Sequence, residues 1–236
     1  MRVLVAGGTG LVGAAIVRAL ASSHVVREIV VTSRSEARLA ALVLDLGPLA
    51  ADVIPLVVDA GVTGDGAALR AAIERTVPNV DAAIASLGGG ESDGRRFVDL
   101  SRAAFDTMMA ELLGAHVAFA TATLPLLTDG GMYLGIGGGA AYAPMDGGGA
   151  ISIAAAAQVM MTRVLAAENE RPGLRILELV IDAPVVPRET PKRRGTIAPD
   201  EVGTVVEELL RNGSTARPAI ETNGSIIRMR PSRALS

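Results

Sequence analysis

The sequence predicts an α/β protein built on one doubly wound, mostly parallel sheet of seven strands with helices on both faces. Three observations lead there. Short apolar runs alternate with longer helical patterns along the whole chain, the order expected of strands joined by crossover helices. The first run, Arg2–Ala6, is apolar after its first residue, as in a strand buried on both faces. It feeds directly into a glycine turn, Gly7 to Gly13, and then a helix. The 236 residues fit one such domain, and no repeat or long linker divides them.

Each element follows from a local signal. Leu11–Ala21 is an apolar-rich helix. A second strand covers 28–32, and Ser35 caps a helix reaching Leu46, since its hydroxyl can accept a first-turn N–H. Strand 53–59 and a helix over 65–76 follow, then strand 81–86. A long helix spans 102–127 after a looser helical entry from about Arg95. Strand 132–136, helix 149–169 and strand 174–181 come next. Pro199, just before Asp200 and Glu201, marks a last helix start. A final strand lies within 219–230. The stretch 135–149 holds seven glycines in fifteen positions and reads as a loop at the sheet's C-terminal edge, where such folds bind ligands.

Composition excludes several classes. Half the residues are hydrophobic but only 2% are aromatic, so aliphatic side chains build a large core and disorder is not the main state. A net charge of −3 offers no basic field, so nucleic acid is not an expected partner. Without cysteine there is no disulfide, thiolate or Cys-ligated metal, and two isolated histidines, His24 and His116, argue against a metal site. The sequence runs straight into its first strand, so no signal peptide is expected, and stretches such as 112–128 are broken by His, Thr and Pro. A cytoplasmic protein without a membrane span is expected.

The first chemistry lies in Gly7-Gly8-Thr9-Gly10-Leu11-Val12-Gly13, a GxxGxxG loop between strand and helix. Gly7 permits the tight turn, Gly10 lets a pyrophosphate approach the backbone, and Gly13 lets helix and sheet pack closely. The helix start, through Leu11 and Val12, supplies unpaired N–H groups and a positive dipole end. About twenty residues on, where an acid would hold an NAD ribose, stand Thr32-Ser33-Arg34-Ser35. Arginine pairs with a 2′-phosphate that a carboxylate would repel, so NADP(H) is expected over NAD(H).

Further landmarks follow in order. Residues 29–34 read as a second strand with an NADP-type Arg34. Val58-Asp59-Ala60 and Ala85-Ser86-Leu87-Gly88 stand at the ends of the third and fourth strands. Phe105-Asp106 opens a long helix ending in Leu124-Pro125-Leu126-Leu127. Met161-Thr162-Arg163-Val164-Leu165-Ala166-Ala167-Glu168 closes a later one, and Ala198-Pro199-Asp200-Glu201-Val202 starts the last. Together these residues resemble the short-chain dehydrogenase/reductase superfamily over nearly the whole chain. The resemblance implies a Rossmann-type fold, adenine contacts at Asp59 and Ala60, and further cofactor contacts at Ser86, Leu87 and Gly88. It also implies a homodimer or homotetramer joined through the long helix and the helix after the fifth strand. Met108, Met109, Met160 and Met161 on these helices suit adaptable apolar contact. His116 on the long helix is expected at the interface or in the core. The loop's glycine spacing is that of the extended and atypical branches, whereas the later landmarks follow the common short branch.

The family's chemistry rests on Asn, Ser, Tyr and Lys, the last two in a YxxxK motif. Counted back from Thr162-Arg163, the Tyr position is Ile151 and the Lys position Ala155; Ser falls within 137–139, and Asn, counted forward from Asp106, falls near Leu112. The chain has one lysine, Lys192, and two tyrosines, Tyr133 and Tyr142, so YxxxK occurs nowhere. The family's tyrosine protonates the alkoxide as hydride arrives, help worth on the order of 10²–10⁴ in rate.

Three side chains are candidate replacements. Tyr142 precedes the vacated helix, and as a proton donor it needs a positive neighbour. Ser152 adjoins the vacated tyrosine position and can hydrogen-bond a substrate oxygen. Asp146 is the only charge between Gly130 and Thr162, and a carboxylate isolated among apolar groups makes a general acid or base. Each also has a plainer role: packing for Tyr142, a helix start for Ser152, a turn for Asp146. Arg188, Lys192, Arg193 and Arg194 place four basic residues in seven, able to clamp an anionic small molecule or to remain solvated. Three functions fit this pattern: an NADP(H)-dependent oxidoreductase with an altered catalytic set, a non-catalytic cofactor sensor or partner subunit, and a non-redox isomerase, dehydratase or cyclase.

Overall fold

The first strand, β1 (Arg2–Ala6), sends Val3 and Val5 to one face of the sheet and Leu4 and Ala6 to the other, all fully buried. A computed structural model describes residues 1–47, 51–60, 66–88, 94–187, 189–190, 194–213, 217 and 220–231. After β1 come α1 (Leu11–Ala21), β2 (Glu28–Ser33), α2 (Glu36–Leu46), β3 (Asp52–Val57), α3 (Ala67–Thr76) and β4 (Val80–Ala85). Then follow α4 (Arg102–Met109), α5 (Ala115–Thr123), β5 (Leu127–Gly138), α6 (Gly149–Glu168), β6 (Arg175–Ile181) and α7 (Pro199–Asn212). The hairpin β7 (Ile220–Asn223) and β8 (Ile226–Met229) closes the sheet.

The strand order is β3-β2-β1-β4-β5-β6-β8-β7, parallel throughout except for the β7–β8 pair. The order reverses between β1 and β4, the place where open α/β sheets form their ligand crevice. The expected fold class is the one observed, with eight strands among the described residues where seven are expected. The single strand expected within 219–230 is a hairpin, turned by Gly224 and Ser225. Gly224 has φ +58°, the left-handed value that two-residue hairpin loops require of their first residue.

Local signals set the helix ends. Ser35 caps α2 by accepting the Arg38 N–H, and Ser101 caps α4 by accepting that of Ala104. Glu201 reaches back to the Ala198 N–H at 2.7 Å, with Pro199 opening α7. The long helix differs from expectation. A π turn, Ala110–Gly114, separates α4 from α5, and a 3-10 turn at Leu124–Leu126 ends the run before β5. Pro125 lacks the N–H that another helical turn would need.

One face is covered by α1, α2 and α7 and the other by α3, α5 and α6. The α1–α7 contact is tight, since a Cβ on Gly203 would lie 2.5 Å from the Ala15 carbonyl oxygen. The runs Arg102–Leu126 and Gly149–Glu168 are long and apolar enough, by length and composition, to cross a membrane, a property the sequence reading did not assign them. In the fold α5 packs on β4 and β5, α6 packs on β5 and β6, and α4 packs on α6.

Candidate cofactor cleft and reaction centre

At the C-terminal edge of β1, β2 and β4 the strands open onto a cleft of about 980 Å³. Its floor is the glycine turn. Gly7 has φ +69°, and a Cβ there would fall 2.0 Å from the Ser86 carbonyl oxygen. Gly10 donates its N–H to Gly7 at 3.0 Å and caps α1 with no side chain of its own. A Cβ on Gly13 would lie 2.2 Å from the Gly7 carbonyl oxygen, so only glycine lets α1 start this close to the turn. The first turn of α1 holds no acidic residue, which leaves its N–H groups and dipole open to an anion.

The cleft brings together Gly7, Thr9, Gly10, Ser33, Arg34, Asp59, Ala60, Ser86, Leu87 and Gly88 of the expected set. Leu11, Val12 and Gly13 lie just behind this wall, in the first turn of α1. Thr9 and Ser33 hydroxyls are 3.1 Å apart, and Ser33 also accepts the Ser35 N–H. Thr32 lines the same wall, and its buried hydroxyl has no hydrogen-bond partner among the described residues. This orphaned hydroxyl, the glycine cradle and the uncapped helix start all fit a dinucleotide.

Sequence reasoning passed over Arg38, which joins Arg34 at the cleft. The signal was available: Ser35 as N-cap makes Arg38 the third helical residue, whose side chain reaches back towards the cap. His116, expected at the interface or in the core, lies in the core, 1% exposed. Its Nε2–H donates to the Leu87 carbonyl at 3.1 Å, and burial lowers its pKa to about 4. A neutral imidazole therefore pins the cleft wall at Leu87.

The reaction end is built differently. Leu112 approaches the open side of Gly88, where a Cβ would meet its Cδ2 at 3.6 Å. Glycines at 147 and 149 let the 94–99 segment close down on the start of α6. A Cβ on Gly147 would lie 2.7 Å from the Gly94 Cα, and one on Gly149 would lie 2.9 Å from the Phe97 Cβ. Phe97 in turn makes an edge contact with Phe105, their centroids 6.0 Å apart.

None of the three candidate replacements lines the cleft. Tyr142 is 42% exposed, with the Arg228 guanidinium 4.2 Å from its ring centroid. That is the positive neighbour the sequence reading asks for, although Arg228 also pairs with Asp182 at 2.5 Å. The Ser152 hydroxyl accepts the Met145 N–H at 3.0 Å and ties the loop to α6. Asp146 corrects an expectation: it is exposed on the Met145–Gly148 turn, so water replaces the apolar surroundings that its isolation in sequence implied. Of the basic segment, Arg188, Lys192 and Arg193 lie outside the described residues, and Arg194 is exposed.

One buried acid escaped the sequence reading. Glu178, in β6, is fully buried, held by Gln158 at 2.5 Å and Thr162 at 2.8 Å. Burial raises its pKa to about 7, against the pull of both hydrogen bonds.

Comparison with known proteins agrees with this architecture. The model of the family described as enoyl-(acyl carrier protein) reductase matches residues 10–219. An alcohol dehydrogenase from the archaeon Thermococcus sibiricus, complexed with 5-hydroxy-NADP, superposes with a TM-score of 0.76 at 21% identity, covering 97% of this chain and 95% of its own. A short-chain dehydrogenase from Bacillus anthracis gives 0.77 at 18% identity, with 97% and 94% covered. A metagenomic short-chain oxidoreductase in complex with NADP gives 0.72 at 20%, with 89% and 90% covered. No curated protein sequence matches. The cleft, the strand order and the matched family model together make this chain a member of the short-chain dehydrogenase/reductase superfamily.

Proposed function

We propose that this chain binds NADP(H) and acts as an oxidoreductase with a non-standard reaction centre. The observation that carries the reading is the pairing of Arg34 with Arg38 beside the glycine cradle, where an NAD-type site would hold a carboxylate. The N–H groups of Leu11, Val12 and Gly13 would take the pyrophosphate, and Thr9 and Ser33 would border it. Arg34 and Arg38 would take the 2′-phosphate, and Asp59 and Ala60 the adenine. Ser86, Leu87 and Gly88 would line the opposite side, with Leu87 held by His116. The cofactor, when bound, supplies or accepts a hydride.

No side chain at Leu112, Ile151 or Ala155 can move a proton, and residues 137–139 are all glycine. The reaction therefore suits an acceptor that needs no donated proton, or one served by Tyr142 beside Arg228. Ser152, engaged with Met145, and Asp146, in water, rank behind it. The basic run Arg188, Lys192, Arg193 and Arg194 in the sequence suits an anionic substrate. The apolar faces of α5 and α6, with Val117, Ile153, Met160 and Val164 exposed, suit a cytoplasmic homodimer or homotetramer.

A second reading, a cofactor sensor or partner subunit without catalysis, is favoured by the closure of Phe97 and Gly94 on the start of α6. Calorimetric titration with NADPH and NADH tests the first claim, with tight NADPH and weak NADH binding expected. Failure of both to bind would refute it. A panel of hydride acceptors followed by NADPH absorbance then separates the readings, and binding without turnover selects the sensor.

A further inference from the structure

We propose that Glu178, Gln158 and Thr162 form a proton-operated latch that fastens α6 to β5 and β6, closed when the carboxyl is neutral and weakened when it ionises. The inference does not depend on the cofactor reading.

The latch occupies space that β5 gives up. A Cβ on Gly135 would lie 2.1 Å from Glu178 Oε2, and one on Gly137 would lie 2.5 Å from Oε1. Two glycines on one face of β5 thus leave a slot that the carboxyl of the neighbouring strand fills. From above, α6 supplies Gln158 Nε2, which donates both to Glu178 Oε1 and to the Ile136 carbonyl. Thr162 Oγ1 donates to Oε2. The other buried residues of α6 are Ala150, Ala154 and Val159, so the helix brings little large apolar surface to the sheet. Polar contacts therefore carry much of the attachment.

The ionisable surroundings are few. From β5, Tyr133 faces the site; its buried phenol has no hydrogen-bond partner among the described residues, and its pKa is pushed well above its ordinary value by burial and by the Glu178 charge. From α6, neither Gln158 nor Thr162 titrates. On β8, Ile226 lies opposite Glu178, and Arg228, two residues on, is engaged with Asp182 of the loop after β6. Among the described residues no cation pairs with Glu178. A charged carboxylate here is buried without a counter-ion, and removing that penalty requires water or a lifted α6. In the neutral acid one oxygen still accepts from Gln158, while the other can donate to Thr162, whose own hydrogen turns to the helix backbone.

The sign follows from linkage. With the folded pKa raised from 4.5 to about 7, the stabilisation is complete below the lower value and is lost as pH rises through the upper one. The test is the thermal midpoint of the full chain from pH 5.5 to 8.5, for the native protein and for Glu178→Gln. The native midpoint should fall by about 4–8 °C more than that of the variant. Amide exchange at 154–162, corrected for its intrinsic pH dependence, should quicken over the same range in the native protein alone. Infrared difference spectra of the native protein should show a protonated carboxyl at pH 6 that disappears by pH 8, a readout that stands even if the variant misfolds. Parallel midpoint curves, or no such carboxyl band at pH 6, would overturn the proposal.

Discussion

Glycines crowd both ends of the molecule's ligand edge, but they keep space for different occupants. At Gly7 and Gly13 an added Cβ would strike backbone of the turn itself or of Ser86, just after β4, and the conformation so enforced leaves an uncapped helix start facing the cleft. At Gly135, Gly137, Gly147 and Gly149 an added Cβ would strike Glu178, Gly94 or Phe97. The space there is already filled by the protein's own atoms. Similar residue composition thus marks a place prepared for a phosphate in one region and a region closed by the protein's own side chains in the other.

The contrast breaks most severely at Gly13. Gly13→Val is expected to abolish measurable NADPH binding in calorimetry, with circular dichroism as the check on folding; unchanged affinity would refute the loop's role. Next comes Tyr142→Phe, which should lower turnover on the order of 10²–10⁴-fold while leaving NADPH affinity intact, if the phenol is the proton donor. Equal turnover would return Tyr142 to packing. Arg34→Asp should weaken NADPH by about 10- to 100-fold and leave NADH unaffected, because one charge-assisted phosphate contact is lost. An unaltered ratio of the two affinities would remove Arg34 from the 2′-phosphate. Least of all, Ser152→Ala should cost about 1 kcal/mol of stability by freeing the Met145 N–H, measured by denaturant unfolding, with no change in NADPH affinity.

The same contrast explains what could be read from the chain alone. The cleft was legible because its geometry imposes residue types at fixed spacing: glycine where backbones touch, Ser35 at a helix start, arginine at the end of β2. The vacated positions were legible by counting, since a chain with one lysine and two tyrosines cannot hold a YxxxK motif. Glu178 was not legible. It appears as one of two charged residues in the strand RILELVI, and only its distance from Gly135 and Gly137, some forty positions earlier, makes it a buried acid. The closing hairpin has its own signal, the two-residue turn Gly224-Ser225, but it is faint because the flanking strands are only four residues long. Asp146 failed for the opposite reason: isolation along a sequence says nothing about exposure on a turn.

The π turn at Ala110–Gly114 puts one residue more into the helix than regular winding would. Each residue of an α-helix advances about 100° around the axis, so α4 and α5 are offset by roughly that rotation. Ala104, Thr107 and Met108 face the cleft from the first half, while Ala118, Phe119, Ala120 and Ala122 turn into the protein from the second. Deleting a single residue between 110 and 114 would leave composition and helix propensity almost unchanged. It would nevertheless screw the first half round by about a quarter turn relative to the second. The number of residues in this short stretch, as much as their identity, thus decides which side chains the cleft presents.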